Sequence, residues 1–267
     1  MKKIQIIIIL LFNLTLILNQ SNCPNSEQSP VNIDTSKIRV ISVPPLKIIR
    51  SYYPSFGNIK LNTKNMSLTP NNWDNAKLYI DNYNKTLIYK PYTIYVRIFS
   101  EHSFENLKYD IELQICHNIS NENENENEND IPEFLCISIF FDSGRNKKSK
   151  IFDKFYKEKE YEDDLTKKYK LKNIENIDLN LYINFNEPYY YYKGSGTSEK
   201  NDQEFNCNLS VYWILMKKVN YMSEEEFKNL RLAVYENTNK TIIESKNVAT
   251  NEGEYIYYFE NKKEKND

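Results

Sequence analysis

Histidine is almost missing from this chain, which has 2 in 267 residues, His102 and His117. That scarcity excludes any metal centre built on three imidazoles. Charge imbalance is lacking too, with 35 Lys and Arg against 37 Asp and Glu and a formal charge of -2. Without a broad positive field the chain has no means of attracting a nucleic acid, which is excluded as a partner. Glycine is scarce at 5 residues, whereas tyrosine reaches 22 and phenylalanine 13. With many Val and Ile, this favours an aromatic-rich β protein over a helical one. Beyond the N-terminus there is no second long apolar run and no internal repeat.

The N-terminal run itself has a definite form. Met1-Lys2-Lys3 precedes Ile4 to Leu18, interrupted only by Gln5, Asn13 and Thr15, and polar Asn19-Gln20-Ser21-Asn22 follows. A short basic start, a compact apolar stretch and a polar exit predict a secretory signal peptide over residues 1–21. The run falls short of the roughly 20 apolar residues that span a bilayer, which argues for cleavage rather than anchoring. The mature product is expected to be secreted or lumenal, with no stable membrane insertion. Loss of Lys2 and Lys3 takes the formal charge from -2 to -4.

Residues 22–267 are expected to form a single domain, mainly β with peripheral helices, around a large, twisted, mostly antiparallel central sheet. Apolar and β-branched runs at 58–68, 76–80, 86–99, 107–117, 134–141 and 210–219 predict strands. Alternation in the fourth run sets Tyr109, Ile111, Leu113 and Ile115 on one face, with Asp110, Glu112, Gln114 and Cys116 opposite. Such a polar row suits the floor of a cleft or a solvent-facing sheet. Residues 121–130 repeat Asn and Glu, cannot bury surface, and read as an expanded hairpin loop. Residues 150–170, with Ile151, Phe155, Tyr156 and Leu165 among charges of both signs, predict a helix. Ser223 followed by Glu224, Glu225 and Glu226 has the form of a capping box and predicts a second, short helix.

Several segments, taken in order, resemble the α-carbonic anhydrase family. Gln28-Ser29-Pro30-Val31-Asn32-Ile33 is similar to its Q-S-P-[IV]-[ND]-[IL] motif. Ser100-Glu101-His102, Lys108-Tyr109 and Glu112-Leu113-Gln114-Ile115-Cys116-His117 stand at the family's spacing, the last segment where it has E-L-H-L-V-H. Ile137 to Gly144 resembles the following strand, and Tyr192-Lys193-Gly194-Ser195-Gly196-Thr197-Ser198 resembles Y-P-G-S-L-T-T. Trp213-Ile214-Leu215 then leads to Ser223 through Arg231, similar to the family's W-I-V-L to S-S-E-Q-x-x-x-F-R segment. The resemblance runs from about Cys23 to Tyr258 and implies the carbonic anhydrase fold.

That resemblance also implies where zinc would be held: two histidines of an H-x-H strand and the first of E-L-H. Here these positions are Tyr95, Arg97 and Gln114. A phenol, a guanidinium and an amide do not make a tetrahedral nitrogen-donor zinc site. Arg97 also sets a fixed positive charge there. Zinc is therefore expected to be absent. His117 lies three residues beyond Gln114 and faces away, while His102 matches a structural histidine bonded to the equivalents of Glu112 and Tyr192. Zinc lowers the pKa of bound water from about 15.7 to about 7. Losing that shift forfeits on the order of 12 kcal/mol of acidity. Glu101 and Thr197 match the hydrogen-bonded pair that orients the metal-bound hydroxide, and they are expected to be vestigial. Asn65 falls near the proton-shuttle position, Cys116 and Cys136 replace small aliphatics of the substrate pocket, Gly196 replaces a leucine, and Trp213 is kept.

Four cysteines allow two disulfides in three pairings. The resemblance implies Cys23 with Cys207, a bridge contributing about 5 kcal/mol through chain entropy. Cys116 and Cys136 either pair across neighbouring strands or remain thiols. Glycosylation sequons begin at Asn65, Asn84, Asn118 and Asn239, and at the less favourable Asn208. Arg145, Lys147, Lys148 and Lys150 are the one concentrated basic patch, suited to sulfated glycans or acidic head groups. The function expected is a secreted pseudoenzyme that binds an unknown extracellular protein or glycan as a binding or adhesion module. The alternatives are a residual carbonate dehydratase (or esterase) with a non-standard metal site, and a sulfated-glycan-binding protein.

Overall fold

The computed structural model describes residues 29–41, 47–51, 55–61, 66–70, 77–82, 85–120, 131–145, 147–149, 151–152, 169–197, 209–238 and 256–260. The first strands are β1 (Asn32–Ile33), β2 (Arg39–Ile41), β3 (Lys47–Ser51), β4 (Ser55–Leu61), β5 (Met66–Pro70), β6 (Lys77–Asn82) and β7 (Lys85–Ile98). They are followed by β8 (Ser103–Phe104), β9 (Ile111–Ile119), β10 (Phe134–Asp142), β11 (Tyr169–Ile177), β12 (Tyr189–Ser195), β13 (Ser210–Tyr221) and β14 (Tyr257–Phe259). The α-helix found among the described residues is α1 (Glu224–Thr238). β1 and β8 pair separately. The rest form a 12-stranded sheet along β11-β4-β5-β7-β9-β10-β13-β12-β14-β2, with β6 on β7 and β3 on β6. Its pairings are antiparallel except β10 with β13 and β14 with β2, so the sheet is mixed and mainly antiparallel.

Period-two alternation along β9 and β10 divides the core into two layers. Ile111, Leu113, Ile115, Ile137, Ile139 and Phe141 enter one cluster, which Leu230 of α1 also joins. Cys116, Cys136, Phe140, Tyr192 and Trp213 enter the other. Both faces of the central strands are thus covered, which accounts for their burial along nearly all their length. α1 is held at its start by a reciprocal cap. Ser223 N donates to Glu226 Oε2 (3.0 Å) and Glu226 N to Ser223 Oγ (3.2 Å). The buried Glu226 also accepts from Ser149 N at 3.0 and 2.9 Å, tying the helix to the loop after β10.

Three sequence expectations change. The run 58–68 holds two paired strands, β4 and β5, rather than one. The predicted helix at 150–170 falls mostly outside the described residues, and its last two residues, Tyr169 and Lys170, open strand β11. Tyr109 does not share the face of Ile111. It precedes β9 and packs against Phe104 and Phe140, in the opposite layer. The alternation stops before β9 because Phe99 and Ser100 take the chain out of β7. Phe99 adopts a left-handed φ of 49°, and Phe99 N and Ser100 N donate to Asp110 O and Tyr109 O.

Candidate functional site

The polar row of β9 lies across the sheet from matching positions on its neighbours. Tyr95 of β7 faces Gln114, which faces Ser138 of β10, and Arg97 faces Glu112. Thr93, Cys116, Cys136 and Trp213 form the next row along. Tyr95 and Arg97 are two residues apart on one strand, so both side chains leave the same face. The structure therefore brings Tyr95, Arg97 and Gln114 together.

These side chains bond to one another. Arg97 Nε donates to Gln114 Oε1 (3.2 Å) and lies 3.4 Å from Glu101 Oε1. Gln114 Nε2 donates to Glu101 Oε2 (2.9 Å) and to Glu112 Oε1 (3.0 Å). The Arg97 guanidinium also sits 4.7 Å from the centre of the Tyr95 ring, a cation–π distance. Arg97 is 7% exposed and Gln114 is 1% exposed, so the network is withdrawn from water. In such surroundings an unpaired charge would be costly, and the bonds are correspondingly hard to break.

Glu112 links this network to a second one. Its Oε1 accepts from His102 Nδ1 (2.7 Å) and Ser138 Oγ (2.6 Å), and its Oε2 from the backbone N–H groups of Glu101 (2.8 Å) and His102 (3.0 Å). Burial pushes the carboxyl up, but attraction to His102 and hydrogen bonds from His102, Ser138 and Gln114 outweigh it, holding Glu112 at about 2. His102 Nε2 meets the Tyr192 hydroxyl at 2.6 Å, and that hydroxyl meets Ser29 Oγ at 3.0 Å. Burial drives the Tyr192 phenol far up, which keeps it neutral. An added Cβ at Gly194 would overlap Ser29 Oγ and the Tyr192 ring, so this close approach requires glycine. His102 thus makes both contacts that the resemblance implies.

The arrangement does not fit zinc. At the three positions stand a ring, a guanidinium and an amide whose oxygen already accepts from that guanidinium. Among the described residues, no group of three or more His, Cys, Asp or Glu side chains converges on a common point. The expected hydrogen bond between Thr197 and Glu101 is not formed. Thr197 Oγ1 is buried without a hydrogen-bond partner, because the Glu101 carboxylate turns to Arg97 and Gln114 instead.

Cys116 and Cys136, directly opposite on β9 and β10, form a disulfide with their Cα atoms 4.1 Å apart. The bridge fills the apolar floor beside Trp213, whose indole N–H donates to Ser195 O at 2.9 Å. His117 lies apart from the cluster, fully buried, with Nδ1 donating to Leu135 O (3.0 Å), and burial lowers it to about 4. Asn118 is exposed at the end of β9. Arg145, Lys147 and Lys148 are exposed, with the Arg145 guanidinium 3.8 Å above the Tyr221 ring. Cys23, Cys207, Asn65, Asn84, Asn208, Asn239 and Lys150 lie outside the described residues. No helix among the described residues is long and apolar enough to cross a membrane.

One participant is not singled out by the sequence: Ser138 bonds Glu112 from the middle of β10, and its signal is a hydroxyl inside the apolar run Phe134 to Phe141. Half-buried Lys108, part of the Lys108-Tyr109 motif, loses basicity through burial, partly offset by the fields of Glu101 and Glu112.

Residues 17–252 match the eukaryotic-type carbonic anhydrase family. No curated protein matches the sequence. Among solved structures, dioscorin complexed with ascorbate superposes with a TM-score of 0.66 at 21% identity, over 88% of this chain and 86% of that one. The α-carbonic anhydrase from Thermovibrio ammonificans with sulfanilamide gives 0.64 at 18% identity, covering 87% of each chain. A halotolerant carbonic anhydrase from Dunaliella salina gives 0.66 at 15% identity, over 88% and 89%.

Proposed function

Given that the chain belongs to the eukaryotic-type carbonic anhydrase family, we propose that it is a secreted pseudoenzyme using the fold as a binding or adhesion module. One observation carries this reading: Arg97 and Gln114, at two of the positions where the family holds its metal, bond to each other and to Glu101. No side chain nearby supplies the roughly nine-unit lowering of water's pKa that hydration at neutral pH needs. The Cys116–Cys136 bridge supports an oxidising, extracellular setting. The partner, an extracellular protein or glycan, is named only by that setting. Stopped-flow carbon dioxide hydration by the secreted protein is expected at the uncatalysed rate, with and without chelator. Chelator-sensitive hydration would favour the residual dehydratase with a non-standard metal site.

A second reading, binding of sulfated glycans, is favoured by the exposed Arg145, Lys147 and Lys148. It predicts retention on heparin that disappears when both lysines are neutralised. Flow-through at low salt would end it.

A further inference from the structure

We propose that Arg97 is a built-in cation, whose guanidinium balances Glu101, makes the buried polar cluster stable without metal and closes it to divalent ions. The inference shares the premise of the proposed function that no zinc is held, but it does not depend on what the protein binds. Two carboxylates, Glu101 and Glu112, lie beside the former ligand positions, with side-chain exposures of 12% and 0%. Glu112 is held by His102, Ser138 and Gln114. Glu101 has Gln114 Nε2 on Oε2 and Arg97 on Oε1. Arg97 is thus a charge partner placed directly on Glu101, and Lys108 lies in the field of both carboxylates.

Gln114 suits this arrangement in a way histidine does not. An amide offers one acceptor and two donors on the same end of the side chain. Its oxygen takes the Arg97 N–H while its nitrogen reaches both carboxylates. The Tyr95 ring covers the guanidinium from the side. A divalent ion in the same space would meet a fixed positive charge inside a buried shell, where like charges repel strongly.

A thermal-unfolding series on the full mature protein tests the proposal. Adding zinc or EDTA should leave the wild-type Tm unchanged. Arg97→Ala should lower Tm by about 10 °C, the loss that follows when one partner of a buried ion pair is removed. Guanidinium chloride at low millimolar concentration should restore part of that loss, and the same concentration of sodium chloride should not. The double variant Arg97→Ala/Glu101→Gln should be more stable than Arg97→Ala, because the stranded carboxylate is gone. If Arg97→Ala does not fold, recovery of a folded double variant carries the same meaning, and failure of both overturns the proposal. An unchanged Tm in Arg97→Ala, or a double variant no better than the single, also overturns it. A zinc-raised Tm in the wild type would instead remove the premise shared with the proposed function.

Discussion

The buried polar site has two halves that meet at Glu112. On one side, His102, Glu112, Tyr192 and Ser29 form a buried chain of hydrogen bonds that matches what the family resemblance implies. On the other, Tyr95, Arg97, Gln114 and Glu101 form a network with different residues and different bonds. The first half connects segments far apart in sequence, 10 residues from His102 to Glu112 and 90 from His102 to Tyr192, so it fastens the fold. The second half occupies positions that, in the family, serve chemistry. The part that holds the sheet together follows the family's pattern, and the part where the family holds its ion is filled here by side chains bonded to one another.

The largest way to break this comparison is Glu112→Ala, which strips both halves at once. It removes the acceptor of His102 Nδ1, Ser138 Oγ and two backbone N–H groups, and one of the two acceptors of Gln114 Nε2, at a site that is buried or nearly so. Urea unfolding should show a loss on the order of 5 kcal/mol. A loss below about 1 kcal/mol would mean that Glu112 does not join the halves.

Acid separates Glu112 from the rest of the core. Its folded value of about 2 lies below the ordinary 4.5, so its contribution is complete above pH 4.5 and disappears as pH falls toward 2. His117, outside both halves, is lowered from 6.5 to about 4, so the unfolded chain takes up its proton first. Its contribution is complete above pH 6.5 and disappears as pH falls toward 4. Each window should be worth roughly 3 kcal/mol. Stability measured against pH should fall in two stages, and His117→Asn should remove the upper stage alone.

The disulfide tests how much the rebuilt floor adds to the fold. Cys116 and Cys136 close a loop of sequence separation 20, for which chain entropy predicts about 3 kcal/mol. Cys116→Ala/Cys136→Ala should lower the urea midpoint accordingly and leave the signature of the His102 chain intact. The smallest effect is expected from Ser138→Ala, which removes one of several donors to Glu112 and should cost about 2 kcal/mol. The resulting rise in the Glu112 pKa is the readout that loss of packing alone would not give.

Much of this was legible beforehand, and the reasons differ by residue. The fold followed from motifs whose residues do structural work, such as Gln28 to Ile33 and Tyr192 to Ser198. That no three-histidine set can form could be read by counting histidines. What could not be read was the choice of partners. Glu101 can face Thr197 or Arg97, and only the rotamers of a packed site decide between them. The pairing of Cys116 with Cys136 is open from sequence because facing positions depend on register, which the residues between the two apolar runs do not fix. Alternation puts Tyr109 in the layer of Ile111, whereas it packs in the other, because alternation says nothing about where a strand begins.

The most direct test is a crystal structure grown in excess zinc, with anomalous data collected at the zinc edge. The account predicts Arg97 bonded to Gln114 and Glu101, with no anomalous peak between residues 95, 97 and 114. A zinc peak there, with the Arg97 side chain swung away from Gln114 and Glu101, would contradict it.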